Sequence, residues 1–210
     1  LLHHLPRLDG GPLRTMTERQ LASHEPTLRQ LVHAHPEEWQ GWLRWMQQLP
    51  LWLDAGPFRV VHACWDHHAV AFLIQSRLTS NLLRASAHPG SEQQAIETLL
   101  KGPVLTTHRT GISISRPIRL RWWEPLQTGV TFQDVSIDPL PPEEAGLPLP
   151  SGLIPDPYPS DAAPLFIGHY NGRGGSSMKL APNVICVDAG IAHGGKLAAY
   201  RVDQSLAVTV

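Results

Sequence analysis

Apolar residues along the chain follow helical spacing in some segments and strand-like spacing in others, which indicates an α/β fold. The clearest helical stripe consists of apolar side chains spaced three or four positions apart: Trp39, Trp42, Leu43, Met46 and Leu49. This spacing predicts one apolar helix face. Pro36 suits the first turn of that helix, and Pro50 ends it.

Further helices are predicted on both sides of this one. Thr17 is a suitable N-cap for a first helix, and Pro26 should either interrupt that helix or open a new segment that carries Leu28, Leu31 and Val32. Residues 66–84 and 92–101 carry apolar positions that fit two more helices.

Strands are predicted where the apolar pattern changes. Residues 58–64 form a continuous apolar run typical of a buried strand, and residues 118–123 alternate in the manner of a half-exposed one. The closing strands are expected at residues 165–168, 184–188, 197–202 and 206–210.

The segment 139–164 breaks this pattern because it contains nine prolines. Such density predicts a long surface loop or lid without regular structure. No repeat or linker interrupts the rest, so residues 1–210 are predicted to form a single domain.

Composition narrows the class of protein. Apolar residues make up 42% and charged residues 17% of the 210 residues, as in globular proteins. The net charge of −1 gives no electrostatic footprint for a nucleic acid or an anionic membrane. No apolar run approaches the roughly 20 residues of a membrane span.

The two cysteines, Cys64 and Cys186, lie in apolar runs and form no CxxC pair. Buried core thiols are the simplest interpretation, although a Cys64 thiolate could also bind a metal. We expect a reducing, cytoplasmic compartment.

The residues best suited to bind a ligand lie at the ends of two predicted strands. The segments VVHACWD (60–66) and LFIGHYN (165–171) each deliver a histidine, His62 and His169, at the carboxyl end of an apolar strand. Ligands bind at that edge of open α/β sheets, and neutral imidazole is a good ligand for divalent transition metals. From the residues alone, two metal ligands and two partly buried, hydrogen-bonded histidines both remain open.

These motifs resemble a known family. VHA (61–63) and GHY (168–170) are similar to the fourth and fifth motifs of calcineurin-like metallophosphoesterases, and NVICVDAG (183–190) with GGKLAAYR (194–201) resembles the closing strands of bacterial members. The resemblance implies an αββα sandwich of two mixed β-sheets flanked by helices. It also implies a hydrolase that attacks a phosphoester with water activated by two divalent metal ions, with Mn expected and Fe, Zn, Ni or Co also suitable.

The resemblance assigns roles to individual residues. His62 and His169 would ligate one metal. Arg121 or Arg119 would bind the phosphate, although exposed arginines on a strand face explain both equally well. Tyr170 and Asn171 would contact the substrate, which is a phosphorylated small molecule, a nucleotide or a phosphoprotein. Asp66 and Asp188 would orient the histidine rings from behind, with a helix N-cap as the simpler role of Asp66.

The first three family motifs, D-x-H, G-D-x-x-D-R-G and G-N-H-E, do not occur in the sequence. These motifs supply the remaining ligands and the general acid, so no catalytic acid or base is assigned here. We expect that the sequence begins just after the third motif. The strand at 58–62 should then lack neighbours, and the chain alone should be poorly soluble or partly unfolded.

Two other functions stay open. The chain would be a non-catalytic remnant that acts as a weak metal-binding or interaction module, or an α/β domain with a purely structural role.

Overall fold

The computed structural model describes residues 1–7, 9–127, 129–153, 155–170, 178–191 and 194–209. The chain divides into two compact units. The first comprises Leu1–Leu51 with Val70–Ile96, and the second comprises Trp52–Ala69 with Glu97–Val210.

The first unit begins with helix α1, Glu18–Thr27. Thr17 is its N-cap, as predicted, and forms a reciprocal capping box with Gln20. Pro26 lies inside the last turn of α1 rather than ending it. The chain continues instead as a π-helical segment, Leu28–His33. The wider π turn is one way in which a helix accommodates a locally disturbed hydrogen-bond ladder.

Helix α2, Pro36–Gln48, begins at the predicted proline, but its predicted apolar face is only partly correct. Trp39 and Leu43 are buried in α2. Trp42 and Leu49 are 42% and 39% exposed, and Trp45 is half exposed beside Trp42. The buried stripe is therefore narrower than the apolar stripe in the sequence.

The single helix predicted over residues 66–84 is wrong. The structure has two helices there, α3 (His67–Leu73) and α4 (Ser80–Ser86). Ile74 ends α3 with a left-handed φ of 62° and a nearly fully exposed side chain. The next helix, α5, spans Ser91–Lys101, close to its predicted bounds.

The second unit contains a mixed sheet, which confirms the α/β class. Within the described residues its strand order is β1-β2-β5-β7-β6, where the strands are Trp52–Asp54, Arg59–Val61, Leu165–Ile167, Val184–Cys186 and Lys179–Ala181 in that order. Strands β2, β5 and β7 run parallel, and β1 and β6 are antiparallel edges.

The expectation that the strand at 58–62 lacks neighbours is wrong. Strand β2 pairs with β1 on one side and with β5 on the other. Strand β1 was not predicted, because its three residues, Trp52–Asp54, are too few to show the alternation of a strand. They are half exposed or exposed in the structure. The hairpin of β1 and β2 thus covers the apolar edge of β2, which was predicted to be exposed.

Two smaller antiparallel pairs complete the described strands. One joins β3 (Val104–Leu105) to β4 (Ile118–Arg119), and the other joins β8 (Ala198–Arg201) to β9 (Leu206–Thr209). The predicted alternation after residue 118 ends early, since Trp123 is as buried as Trp122. A compact apolar cluster forms around β3 and β4 from Leu105, Ile118, Leu120, Phe132, Val135 and Leu149.

Short helices lie along the loops of the second unit. Among the described residues they include α6 (Thr107–Thr110), α7 (Phe132–Val135), α8 (Pro142–Ala145) and the 3₁₀ turns Ser151–Leu153 and Val202–Gln204.

The proline-rich segment is therefore not free of regular structure, because α8 and a 3₁₀ turn lie within it. It is also not wholly on the surface: Leu149 and Tyr158 are each 5% exposed. Both cysteines are buried thiols, as expected. Among the helices in the described ranges, none has the length and hydropathy needed to cross a bilayer.

Candidate functional site

The two histidines singled out by the sequence lie side by side. His62 directly follows β2, and His169 lies two residues beyond β5. Because β2 and β5 are parallel neighbours, their carboxyl ends meet at one edge of the sheet. The two imidazole ring centroids are 5.4 Å apart and the rings are inclined by 60°. Residues 107 positions apart in the chain therefore share one surface.

Backbone hydrogen bonds extend the pairing beyond the strands. The Gly168 N–H donates to the His62 carbonyl at 2.9 Å, and the Val187 N–H donates to the Ile167 carbonyl at 2.8 Å. Asp188 is thereby brought to the same edge from β7. A Cβ built on Gly168 would lie 3.5 Å from the His62 carbonyl oxygen, which is ordinary van der Waals contact. The space at this position does not require glycine.

His169 has an unusual backbone conformation. Its φ is +67°, in the left-handed region that side-chain-bearing residues seldom adopt. Such strain costs free energy and is found preferentially at functional sites.

The surroundings favour the neutral form of both rings. Loss of hydration lowers the pKa of His62, although its side chain retains a solvent-exposed face and the Asp188 charge opposes the shift. Burial also lowers the pKa of His169, with further lowering by His62 and by the positive charge of Arg119. Neutral imidazole is the form that coordinates a metal ion.

The two aspartates predicted to support the rings have different positions. Asp188 acts electrostatically on both histidines, and its Oδ1 accepts a hydrogen bond from the Gly190 N–H at 2.9 Å. The Oδ1 atom of Asp66 accepts from the Ala69 N–H at 2.6 Å, a contact typical of a helix N-cap. Asp66 therefore has the simpler of its two predicted roles in the structure.

The two arginines are likewise separated. Arg119 pairs with Asp138 at 2.9 Å and is close enough to His169 to lower its pKa. Arg121 donates to the Gln133 carbonyl at 3.2 Å and lies 3.5 Å from Glu124, and its buried Nε has no hydrogen-bond partner within the described residues. Of these two arginines, Arg119 is the one whose charge acts on His169.

Arg121 lines a cavity of about 260 Å³ in the second unit. The residues around this cavity include Trp123, Glu124, Gln133 and Lys179, and neither histidine is among them. The phosphate role predicted for Arg121 thus receives no support from its position.

Tyr170 is 2% exposed, and its hydroxyl accepts a hydrogen bond from the Trp122 Nε1–H at 2.8 Å. Burial raises the pKa of this phenol above its ordinary value. The structure thus uses Tyr170 as a core residue behind His169, with a ring contact to it at 5.2 Å. Asn171, the other predicted substrate contact, lies outside the described residues.

Cys64 points into the core. It is 4% exposed, and burial raises the pKa of its thiol, which opposes the thiolate that a metal would need. His67 and His68, which follow in α3, are exposed.

Lys101 is a member of this neighbourhood that the sequence did not indicate. Its positive charge lowers the pKa of His169 from the end of α5. The sequence could not indicate that Lys101 lies near His169, because Lys101 is far from both histidine motifs in the chain.

The ligand set at this edge is incomplete. Among the residues that the structure describes, no group of three or more His, Cys, Asp or Glu side chains is arranged to hold a metal ion. The two imidazoles would supply two nitrogen ligands, and other ligands would have to complete the coordination. No protein-family model matches the sequence, and no curated protein matches it.

Proposed function

We propose that this chain carries part of the active site of a metal-dependent phosphoester hydrolase of the calcineurin-like type, with His62 and His169 as ligands of one divalent metal ion. The observation that supports this proposal is the pair of imidazoles, 5.4 Å apart between centroids, at the carboxyl edge of two parallel strands. Both rings have a lowered pKa, which keeps them in the metal-binding form at neutral pH.

The residues around the pair have defined tasks in this proposal. Asp188 orients the imidazoles and offsets the positive charge of a bound cation. The guanidinium of Arg119 attracts the negative phosphate toward His169. When bound, a pair of divalent ions would supply charge neutralisation at the phosphate and a hydroxide nucleophile from water.

The proposed active site needs further metal ligands and a general acid. In the family these belong to the D-x-H, G-D-x-x-D-R-G and G-N-H-E motifs, which do not occur in this sequence. The two-sheet αββα sandwich belongs to the same proposal. A phosphorylated small molecule, a nucleotide or a phosphoprotein would be the substrate, in a cytoplasmic setting that suits two buried thiols.

The test is hydrolysis of p-nitrophenyl phosphate with added Mn²⁺. It is measured on this chain and on the product extended upstream through the same reading frame. We expect activity in the extended product and its loss in His62→Ala and in His169→Ala. Removing either imidazole should lower both activity and Mn²⁺ affinity, since each donates directly to the ion.

His68→Ala is the matched control, because it removes an exposed histidine of α3 six residues from His62. This variant should keep full activity. Equal activity in the His62→Ala, His169→Ala and His68→Ala proteins would overturn the proposal.

A second function is favoured by one observation, the lack of a third ligand among the described residues. In that case the chain is a non-catalytic module that binds a metal weakly through the two histidines. This function predicts that Mn²⁺ or Zn²⁺ binds and that binding requires His62 and His169. It also predicts no hydrolysis by this chain or by the extended product.

A further inference from the structure

A second pair of histidines lies in the first unit, apart from the residues discussed so far. The His4 Nε2 and His24 Nε2 atoms are 2.7 Å apart, although the two residues are separated by 20 positions in the chain. The ring centroids are 5.0 Å apart and the rings are inclined by 62°. The two histidines thus face each other through their Nε2 atoms, and Nε2 is one of the two ring nitrogens through which histidine binds metals.

The two rings are placed differently. The His4 ring packs edge-on against Trp39 at 4.9 Å between centroids, and Trp39 is buried. His24 lies in the last turn of α1, and its ring contacts the His4 ring. Packing therefore positions the His4 ring, and the helix backbone positions His24 opposite it.

The contact has a specific chemical requirement. Two imidazole nitrogens at hydrogen-bond distance can share only one proton, so at least one ring must be neutral. Burial lowers the pKa of His4, and the charge of His24 lowers it further. The pair thus has an Nε2 lone pair that can bind either a proton or a metal cation.

We propose that His4 and His24 form a second, independent metal site, a bis-imidazole pair that chelates a late first-row divalent ion such as Zn²⁺, Ni²⁺ or Cu²⁺. In a tetrahedral site with Zn–N bonds of about 2.0–2.1 Å, the two nitrogens lie about 3.3 Å apart. The pair needs to open by roughly 0.6 Å from its present separation to admit the ion, which small side-chain rotations provide.

For both Nε2 lone pairs to face the cation, the donor ring moves its proton from Nε2 to Nδ1, or releases it to solvent where that ring is an imidazolium. Water completes the coordination. Imidazole ligands without carboxylates favour these borderline ions over Mg²⁺ or Mn²⁺. The bound ion joins the segment containing His4 to helix α1 and so closes a loop between them.

The experiment is a Zn²⁺ titration with a competing chromophoric chelator on the His62→Ala/His169→Ala protein. This background removes the site of the proposed hydrolase, so the two proposals succeed or fail separately. We expect one remaining equivalent of bound Zn²⁺. Adding His4→Gln or His24→Gln should abolish that equivalent.

His88→Gln is the matched control, because His88 is an exposed histidine of the same unit. It should leave the Zn²⁺ equivalent intact. Unchanged binding in both His4→Gln and His24→Gln, or equal loss in His88→Gln, would overturn the proposal and leave a simple histidine–histidine hydrogen bond.

Electron paramagnetic resonance of Cu²⁺ bound to the same double-alanine background decides the matter if a glutamine variant fails to fold. Nitrogen hyperfine coupling from two imidazoles at one equivalent supports the pair. Coupling from one imidazole, or a mixture of sites, contradicts it.

Discussion

At the scale of single residues, His169 combines a strained backbone with a place in the candidate site. A side-chain-bearing residue at φ +67° is held there by its surroundings, at a cost of about 1–2 kcal/mol. The neighbouring Tyr170 is anchored in the core by its bond to Trp122. This anchor, together with the end of β5 at Ile167, forces the turn on the residues between them.

We predict that His169→Gly is more stable than His169→Ala by about 1 kcal/mol, because glycine adopts a left-handed φ without the Cβ clash that alanine retains. Thermal or urea unfolding of the two variants measures the difference. His68 provides the control: at this position in α3, glycine should be less stable than alanine by about 1 kcal/mol. The same sign at both positions would contradict the strain at His169.

At the scale of elements, the end of α5 is determined by one glycine. Gly102 follows Lys101 with a left-handed φ of +75°, and its N–H donates to the Thr98 carbonyl at 2.9 Å. A Cβ at Gly102 would overlap with the Tyr170 hydroxyl. The end of the helix therefore packs directly behind the residue that follows His169.

We expect Gly102→Ala to lower the free energy of unfolding by about 2 kcal/mol or more, from backbone strain and overpacking together. Gly111→Ala is the matched control, since Gly111 ends α6 at φ +67° with open space around it. That variant should lose only about 1 kcal/mol. Equal losses in urea-unfolding experiments would mean that the contact with Tyr170 contributes nothing.

At the scale of the whole molecule, low net charge is combined with exposed aromatic surface. The net charge is −1 with twelve histidines taken as neutral. Trp42 and Trp45 are 42% and 50% exposed and contact each other at 5.6 Å between ring centroids. Little electrostatic repulsion therefore opposes contacts between copies through these side chains near neutral pH.

We predict that self-association is strongest near pH 7 and decreases as the pH falls toward 5.5. The isoelectric point of the sequence is about 6.9, so the molecule becomes increasingly positive over this range and copies repel one another. Static light scattering across the range measures the effect, and Trp45→Ser should reduce scattering at pH 7. Scattering that rises steadily on acidification would contradict this prediction.

The sequence by itself determined the elements whose signals are local. Thr17 and Pro36 marked the starts of α1 and α2, since capping and the geometry of proline depend on adjacent residues only. The apolar runs at 58–64 and 165–168 predicted two buried strands, each with a histidine at its carboxyl end. Strand β5 is buried throughout, but β2 is shorter than predicted and only Val61 is buried in it. The placement of both histidines at one edge followed from the general rule for parallel strands.

The tertiary structure alone decided what depends on contacts between distant segments. Helical spacing cannot tell which apolar residues a partner covers, so the exposure of Trp42 was not predictable. The same limit applies to strand β1, whose half-exposed residues form a strand only because β2 pairs with them. The contact between His4 and His24 likewise forms only when the chain folds back over the 20 positions that separate them. No local sequence pattern predicts that these two side chains meet.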